Sequence, residues 1–183
     1  MERVHDSYPH LLAEMFAYCL AAAHLRMPHQ IAASFMISDP GAGKGEGWPY
    51  ISKIPERDIC KDQPEDLLPN VIHFCQRYAL GKYFFAKRRL PKTFLTCEGP
   101  LLAEPPHDIL VTHKSGFFPG GGEKQFDDKR ARAHGFMICH LLAALNEAAT
   151  YFKQKHCDQA TANYNKNAVF ISGFPSNYTF YKK

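Results

Sequence analysis

Between Ala133 and His156, apolar residues return every three or four positions: Phe136, Ile138, Leu141, Leu142, Leu145, Ala148, Ala149 and Phe152. That spacing predicts a helix with one apolar face. Lys153 and Lys155 suit its carboxyl-terminal end, where the helix dipole is negative. Everything upstream is shorter and is broken by proline and glycine. The pattern predicts a helix over His10–Leu25, with Leu11, Leu12, Met15, Phe16, Cys19, Leu20 and Ala23 at helical spacing, Ser7 placed to cap it and Met27-Pro28 ending it. Ile31–Ile37 is an apolar run of strand length, closed by Ser38-Asp39-Pro40-Gly41. A glycine-rich loop over 41–47 leads into Trp48-Pro49. Residues 53–68 read as loop, punctuated by Pro55 and Pro64. Val71–Phe74 reads as a strand, Tyr78–Arg89 as a basic, aromatic strand or short helix, and Pro100–Pro106 as an extended exit. Residues 114–130 carry Gly120-Gly121-Gly122 among many charges and read as a linker or flexible loop.

A chain of 183 residues is long enough for one real core. Hydrophobic residues make up 45% and charged residues 22%, which excludes a disordered chain. The net charge of +4 is spread out, apart from Lys87-Arg88-Arg89, which argues against a dedicated nucleic-acid binder. No stretch reaches the roughly 20 apolar residues of a membrane helix. The first six residues do not begin a signal peptide, so any targeting or membrane segment is expected outside this sequence. None of the six cysteines forms a C-x-x-C pair, which argues against a zinc ribbon. Cys19 and Cys139 lie in apolar helical runs and are expected to be buried thiols. Cys60, Cys75, Cys97 and Cys157 lie near loops and suit disulfides in an oxidising compartment, with connectivity left open. A glycosylation sequon stands at Asn177-Tyr178-Thr179.

Four features carry candidate chemistry, each with a plainer reading beside it. His73 closes the short run Val71-Ile72, and a strand end aims an imidazole at a metal or a charged ligand. The plainer reading is a half-buried histidine at a strand end. Glu14 sits one turn inside an apolar helix, either paired at the helix edge or aimed into a cleft to orient a hydroxyl; Tyr18, four residues on, shares its face. Lys82, Lys87, Arg88 and Arg89 are a solvated face or neutralise phosphate oxygens. Gly41-Ala42-Gly43-Lys44-Gly45 lacks the spacing and the Ser or Thr of a phosphate loop. It reads as a surface loop, or as a flap over a ligand anchored by Trp48. His24 and His29 are five apart, and His107 and His113 six apart, neither being ligand spacing for an independent metalloprotein.

The ordered set of motifs resembles one family. Glu14-Met15-Phe16-Ala17-Tyr18 is similar to the Glu-Met-Tyr-Ala/Gly-Tyr helix of the plant and algal hydroxyproline O-arabinosyltransferases and peptidyl-serine α-galactosyltransferases. His29 with Phe35-Met36-Ile37 is similar to the segment that follows there. Ile72-His73-Phe74 resembles the family's Ile-His-Tyr, with Phe74 in place of tyrosine. Tyr83-Phe84-Phe85-Ala86-Lys87-Arg88 echoes its Trp-x-Phe-x-Lys-Arg. The likeness covers residues 8–90, with Cys97–Pro106 as an extension, and 107–183 carry no family pattern.

That resemblance implies an α/β fold, the carboxyl-terminal portion of a GT-A-like (Rossmann-like) glycosyltransferase, over residues 1–106. A loop or linker over 107–132 and a helical extension over 133–183 would follow. It implies transfer of a sugar from a UDP-sugar to a hydroxyproline or serine hydroxyl of a secretory protein, in the lumen of the Golgi or endoplasmic reticulum. Glu14 would be the acceptor-side acid and His73 a ligand of a divalent metal, manganese. Tyr18, Trp48 and Lys82 would line the substrate site. The family's Asp-x-Asp element has no counterpart here: Asp6, Asp58 and Asp127-Asp128 are poor matches. The chain is therefore expected to be a partial transferase. The rival expectation is a non-catalytic glycan- or protein-binding module that keeps only the scaffold, with Trp48, Tyr50, Tyr83 and Phe84 stacking on sugar rings.

Overall fold

A computed structural model describes residues 13–30, 32–41 and 45–168, with the side chains of Ala13, Glu14, Leu67 and Arg88 outside that description. The sequon at Asn177 lies outside the described residues as well. The chain divides into two compact units, residues 1–32 and residues 33–183. In the first, helix α1 runs over Ala13–His24. Met15, Phe16, Tyr18 and Leu20 on it are exposed.

The second unit is mixed α/β, built of small sheets around one long helix. Its elements are β1 (Met36–Ile37), α2 (Trp48–Ile51), β2 (Val71–Ile72), β3 (Tyr78–Leu80), β4 (Tyr83–Phe85), β5 (Leu101–Leu102), α3 (Ile109–Thr112), β6 (Ser115–Phe118), β7 (Gly122–Gln125), α4 (Asp128–His156) and β8 (Lys166–Ala168). Short 3-10 turns fill the gaps, among them Lys87–Arg89 and Lys92–Leu95. The strands pair two by two. β1 and β2 are parallel, with Met36 opposite Val71 and Ile37 opposite Ile72. β5 and β8 are parallel. β3–β4 and β6–β7 are antiparallel hairpins.

Helix α4 begins five residues before the expected Ala133. Asp127 caps it, its Oδ1 accepting the Arg130 amide at 2.7 Å. Residues 133–139 are buried without a break. A helix apolar on every side must be enclosed, and this stretch is packed among Ile59, Tyr78, Leu80, Leu102, Ile109 and Leu110. Gly135 suits this close packing, because a β-carbon there would stand 3.2 Å from Leu80 Cδ2.

Three buried polar side chains of α4 tie distant segments to it. Asn146 pairs with Leu102 as a peptide would, accepting its amide and donating to its carbonyl, both at 2.8 Å. Lys153, fully buried, donates to the carbonyls of Thr96 (2.5 Å), Cys97 (3.0 Å) and Gly99 (2.7 Å). All three ammonium donors are used. Burial nonetheless holds this amine below the ordinary lysine range. His134 is the third and belongs to the site.

The structure corrects several sequence expectations. Residues 115–125 form the β6–β7 hairpin, not a linker, and glycines with positive φ at 120 (81°) and 122 (73°) make its turn. Tyr78–Phe85 is a hairpin turning at Gly81, where φ is 54°. Among the described residues of the run Ile31–Ile37, the strand is confined to Met36–Ile37. Cys139 is not a free thiol: it is bonded to Cys60, and Cys97 is bonded to Cys157. Cys75 stays free and exposed, and so does Cys19. The bridges close loops of 79 and 60 residues, and in the chain-entropy picture each is worth roughly 4 kcal/mol. No helix among the described residues is long and apolar enough to cross a membrane.

Two outcomes follow from this packing. Lys153→Met removes the donor from three carbonyls, that of Gly99 in a buried bond, and is expected to lower the free energy of unfolding by about 3 kcal/mol, read from urea midpoints. Non-reducing peptide maps are expected to recover the 60–139 and 97–157 pairs, with Cys19 and Cys75 open to alkylation in the folded protein.

Candidate functional site: a cationic cavity

The parallel pair β1–β2 sends both of its carboxyl ends to one place. β1 runs into Ser38-Asp39-Pro40, and β2 runs through His73 to Gln76-Arg77. In α/β proteins, ligands gather past such strand ends. The buried phenol of Tyr78 holds the two exits together. It donates to the Ser38 carbonyl at 2.8 Å and accepts the Gln76 amide at 3.2 Å. Burial pushes that phenol well above the ordinary tyrosine range, so it stays protonated. Ser38 is clasped from the other side by Glu46, whose carboxylate takes the Ser38 amide at 2.7 Å and its hydroxyl at 2.5 Å. Asp39 is thereby fixed at both flanks, and its Oδ1 accepts the Gly41 amide at 2.8 Å.

A cavity of about 560 Å³ opens here. Asp39, Gln76 and Arg77 line it from the strand exits, and Arg89 from the 3-10 turn after β4. The β6–β7 turn adds Phe118 and Gly120-Gly121. β7 adds Lys124, and the first two turns of α4 add Arg130 and His134. The lining residues thus carry three guanidinium groups and one ammonium against a single carboxylate. Lys124 rides over the Phe118 ring at 5.4 Å, and Arg130 lies 5.8 Å from the Phe126 ring, so aromatic walls hold part of this charge in place.

His134 is 3% exposed. Its ring stacks on Phe126, with centroids 4.4 Å apart and planes 12° off parallel, and meets Phe118 edge-on at 5.9 Å. Nδ1 accepts the Ala79 amide at 3.3 Å. That bond assigns the proton of the neutral ring to Nε2. Burial first, and the Arg130 charge second, push its pKa down to about 4, with Asp39 opposing. The ring is therefore a neutral donor at physiological pH, and it adds no fifth positive charge to the lining. A pocket of cations with one neutral donor has the chemistry to hydrogen-bond an oxyanion.

The residues singled out by sequence fall in different places. His73 follows β2 and is exposed. Its amide donates to the Ile37 carbonyl at 2.9 Å, which sets the strand register, and its ring does not line the cavity. Trp48 is 8% exposed and belongs to the core, with Nε1 buried and unbonded among the described residues. The structure therefore places this ring in the interior and not on a ligand surface. Lys82 is exposed beside the β3–β4 turn, over the Tyr83 ring at 5.6 Å, and is not among the cavity residues. From the same basic region it is Arg89 that lines the cavity. Tyr18 is exposed on α1, edge-on to His29 at 5.4 Å, within residues 1–32. The backbone of Glu14 lies in α1, but its side chain is outside the described residues. No group of three or more His, Cys, Asp or Glu suited to a metal ion occurs among the described residues.

Sequence reasoning missed Asp39, Arg77, Lys124, Arg130 and His134. One signal for the last two was available. Asp127 reads as a helix cap, and Arg130 and His134 are then four apart on one face of the first turns.

Comparison with known proteins finds no matching family model, no matching curated protein and no matching solved structure.

A buried neutral histidine leaves a pH signature. Between pH 6.5 and about 4 the unfolded chain binds a proton at this position and the folded chain does not, so stability falls as pH falls across that window. The loss amounts to about 3 kcal/mol, and His134→Gln is expected to remove it. Urea midpoints measured across this range check the point. Parallel profiles for wild type and variant would contradict the assignment.

Proposed function

We propose that this chain supplies the phosphate-binding end of a nucleotide-sugar glycosyltransferase, and that the cationic cavity receives the diphosphate of the donor. The cavity itself carries this reading. Arg77, Arg89, Lys124 and Arg130 converge past the carboxyl ends of a parallel strand pair, with the Nε2–H of His134 beside them. Charge on a departing diphosphate is what such a lining stabilises. The order of motifs over residues 8–90 supports a transferase over a simple phosphate binder. Two disulfides support an oxidising compartment such as the Golgi or endoplasmic reticulum lumen.

The roles then divide as follows. The guanidinium groups and Lys124 neutralise phosphate oxygens, and His134 donates one hydrogen bond without adding charge. Glu14 stays assigned to the acceptor hydroxyl of a secretory protein, as the resemblance implies. Manganese, also implied by the resemblance, would find one imidazole at His73. The described residues show no grouping that completes its coordination. What this chain brings to phosphate charge is its own cations.

Calorimetric titration with UDP and with UDP-sugars tests the reading. Micromolar to millimolar binding that weakens with added salt is expected. Arg77→Ala and Arg130→Ala are each expected to weaken it roughly tenfold, the share of one charge-assisted contact. Binding indifferent to both substitutions would place the nucleotide elsewhere. No binding at all would remove the cavity's assignment.

A further inference from the structure

The one carboxylate in the cavity does not fit a pocket meant only for negative charge. Asp39 lines it among four cations, and its charge reaches the His134 ring. A site built only to attract an oxyanion is weakened by such a group, because like charges repel at this range. Nor does Asp39 serve there as the partner of a cation: no ion pair joins it to another charged residue among the described residues. Its place is fixed instead by the backbone. Oδ1 is engaged by the Gly41 amide, and Ser38 before it is locked by Glu46 and Tyr78. Oδ2 is left as an acceptor. Every other charged or titratable lining side chain at neutral pH is a donor: the guanidinium groups, the ammonium and Nε2–H of His134.

A held acceptor surrounded by donors recognises a ligand that carries both an anion and a hydroxyl donor. We propose that Asp39 accepts a hydroxyl of the bound ligand, and that the cavity selects a phosphorylated sugar presenting a hydroxyl beside its phosphate over a phosphate ester that lacks one. This rests on the reading that the cavity receives phosphate. Discrimination comes from both sides. A hydroxylated ligand satisfies the carboxylate, whereas a ligand without a hydroxyl leaves it beside a dianion unpaired.

The experiment compares two dianionic esters, glucose 1-phosphate and methyl phosphate, by calorimetry on the full chain. Wild type, Asp39→Asn and Asp39→Ala are titrated with each. Asn keeps the Gly41 contact through its carbonyl oxygen, which turns its amide nitrogen toward the cavity and replaces the acceptor with a donor. Ala removes charge and acceptor together. Wild type is expected to favour glucose 1-phosphate by roughly tenfold or more. In both variants that ratio is expected to collapse toward one, with methyl phosphate binding more tightly than it does to wild type. Circular dichroism and thermal midpoints confirm that each variant is folded, and the Asn variant keeps the turn. If Asp39 only repels anions, both esters gain by the same factor and the ratio stands, which overturns this inference and leaves the phosphate site intact. If neither ester binds wild type, the phosphate reading fails and the selectivity falls with it.

Discussion

Among the described residues, no sheet is large enough to stand by itself. Each has two strands, some of only two residues, and a two-stranded ribbon in water is marginal at best. Most of them are held by helix α4. β3, β4 and β5 pack directly on it, and β6 packs on β3 and β4 through Gly116. A β-carbon at Gly116 would stand 2.6 Å from the Ala79 carbonyl oxygen, so the approach of β6 depends on that glycine. The enclosure of residues 133–139 of this helix is therefore the constraint on which much of the second unit depends. It also explains the crosslinks. Cys60–Cys139 fastens the enclosed half of the helix, and Cys97–Cys157 fastens the turn just after its end.

Apolar burial alone would not decide which short segment lies where, because one two-residue strand is much like another. The polar side chains inside the helix supply that choice. His134 takes the Ala79 amide, Asn146 takes both backbone groups of Leu102, and Lys153 takes three carbonyls of the 96–99 turn. The Ala79 amide, both Leu102 groups and the Gly99 carbonyl are bonded in buried positions, where an unpaired backbone group is costly. A segment docked one residue out of register would leave such groups unsatisfied. These three contacts therefore stand to the short strands as a ladder stands to a large sheet.

The long helix was legible because its period runs over many turns. Its true start was not, because Lys129, Arg130 and Arg132 look like solvent-facing charge, whereas Arg132 is held by the Ile54 carbonyl and Glu56. The β6–β7 hairpin was hidden by its composition: three glycines read as slack, yet two of them supply the positive φ values that close the turn. Pairing of Cys139 was hidden by an apolar neighbourhood that suits a buried thiol equally well. The cavity was the least legible feature. Asp39, Arg77, Arg89, Lys124, Arg130 and His134 line it, and no short motif contains two of them except the helical pair Arg130 and His134. Local pattern instead favoured Trp48, whose apolar surface the fold uses for packing, and Lys82, which a tight turn leaves in solvent. For Glu14 and Tyr18, the resemblance remains what recommends them, and the structure places their helix in a separate compact unit.

The charges of the cavity are arranged against the grain of the fold. Arg130 sits in the first turn of α4, where the helix dipole disfavours a cation, and Arg77, Arg89 and Lys124 surround the same space. Asp127 and Asp128 at the helix start offset part of this, but Asp127 is occupied as the cap and Asp128 pairs with Lys114 at 3.2 Å. The fold limits the repulsion in one further way, by keeping His134 neutral through burial and a fixed tautomer. Left empty, such a lining lowers stability through repulsion among its own groups. An anion bound there relieves that repulsion and meets the dipole with the sign it favours. Ligand binding and folding are then linked, since whatever fills the cavity stabilises the folded state by the same free energy with which it binds above its dissociation constant. Lys124 and Arg130 face aromatic rings, and the carboxylate among them, Asp39, is fastened to the backbone, so an anion arriving in the cavity meets these two cations held in place.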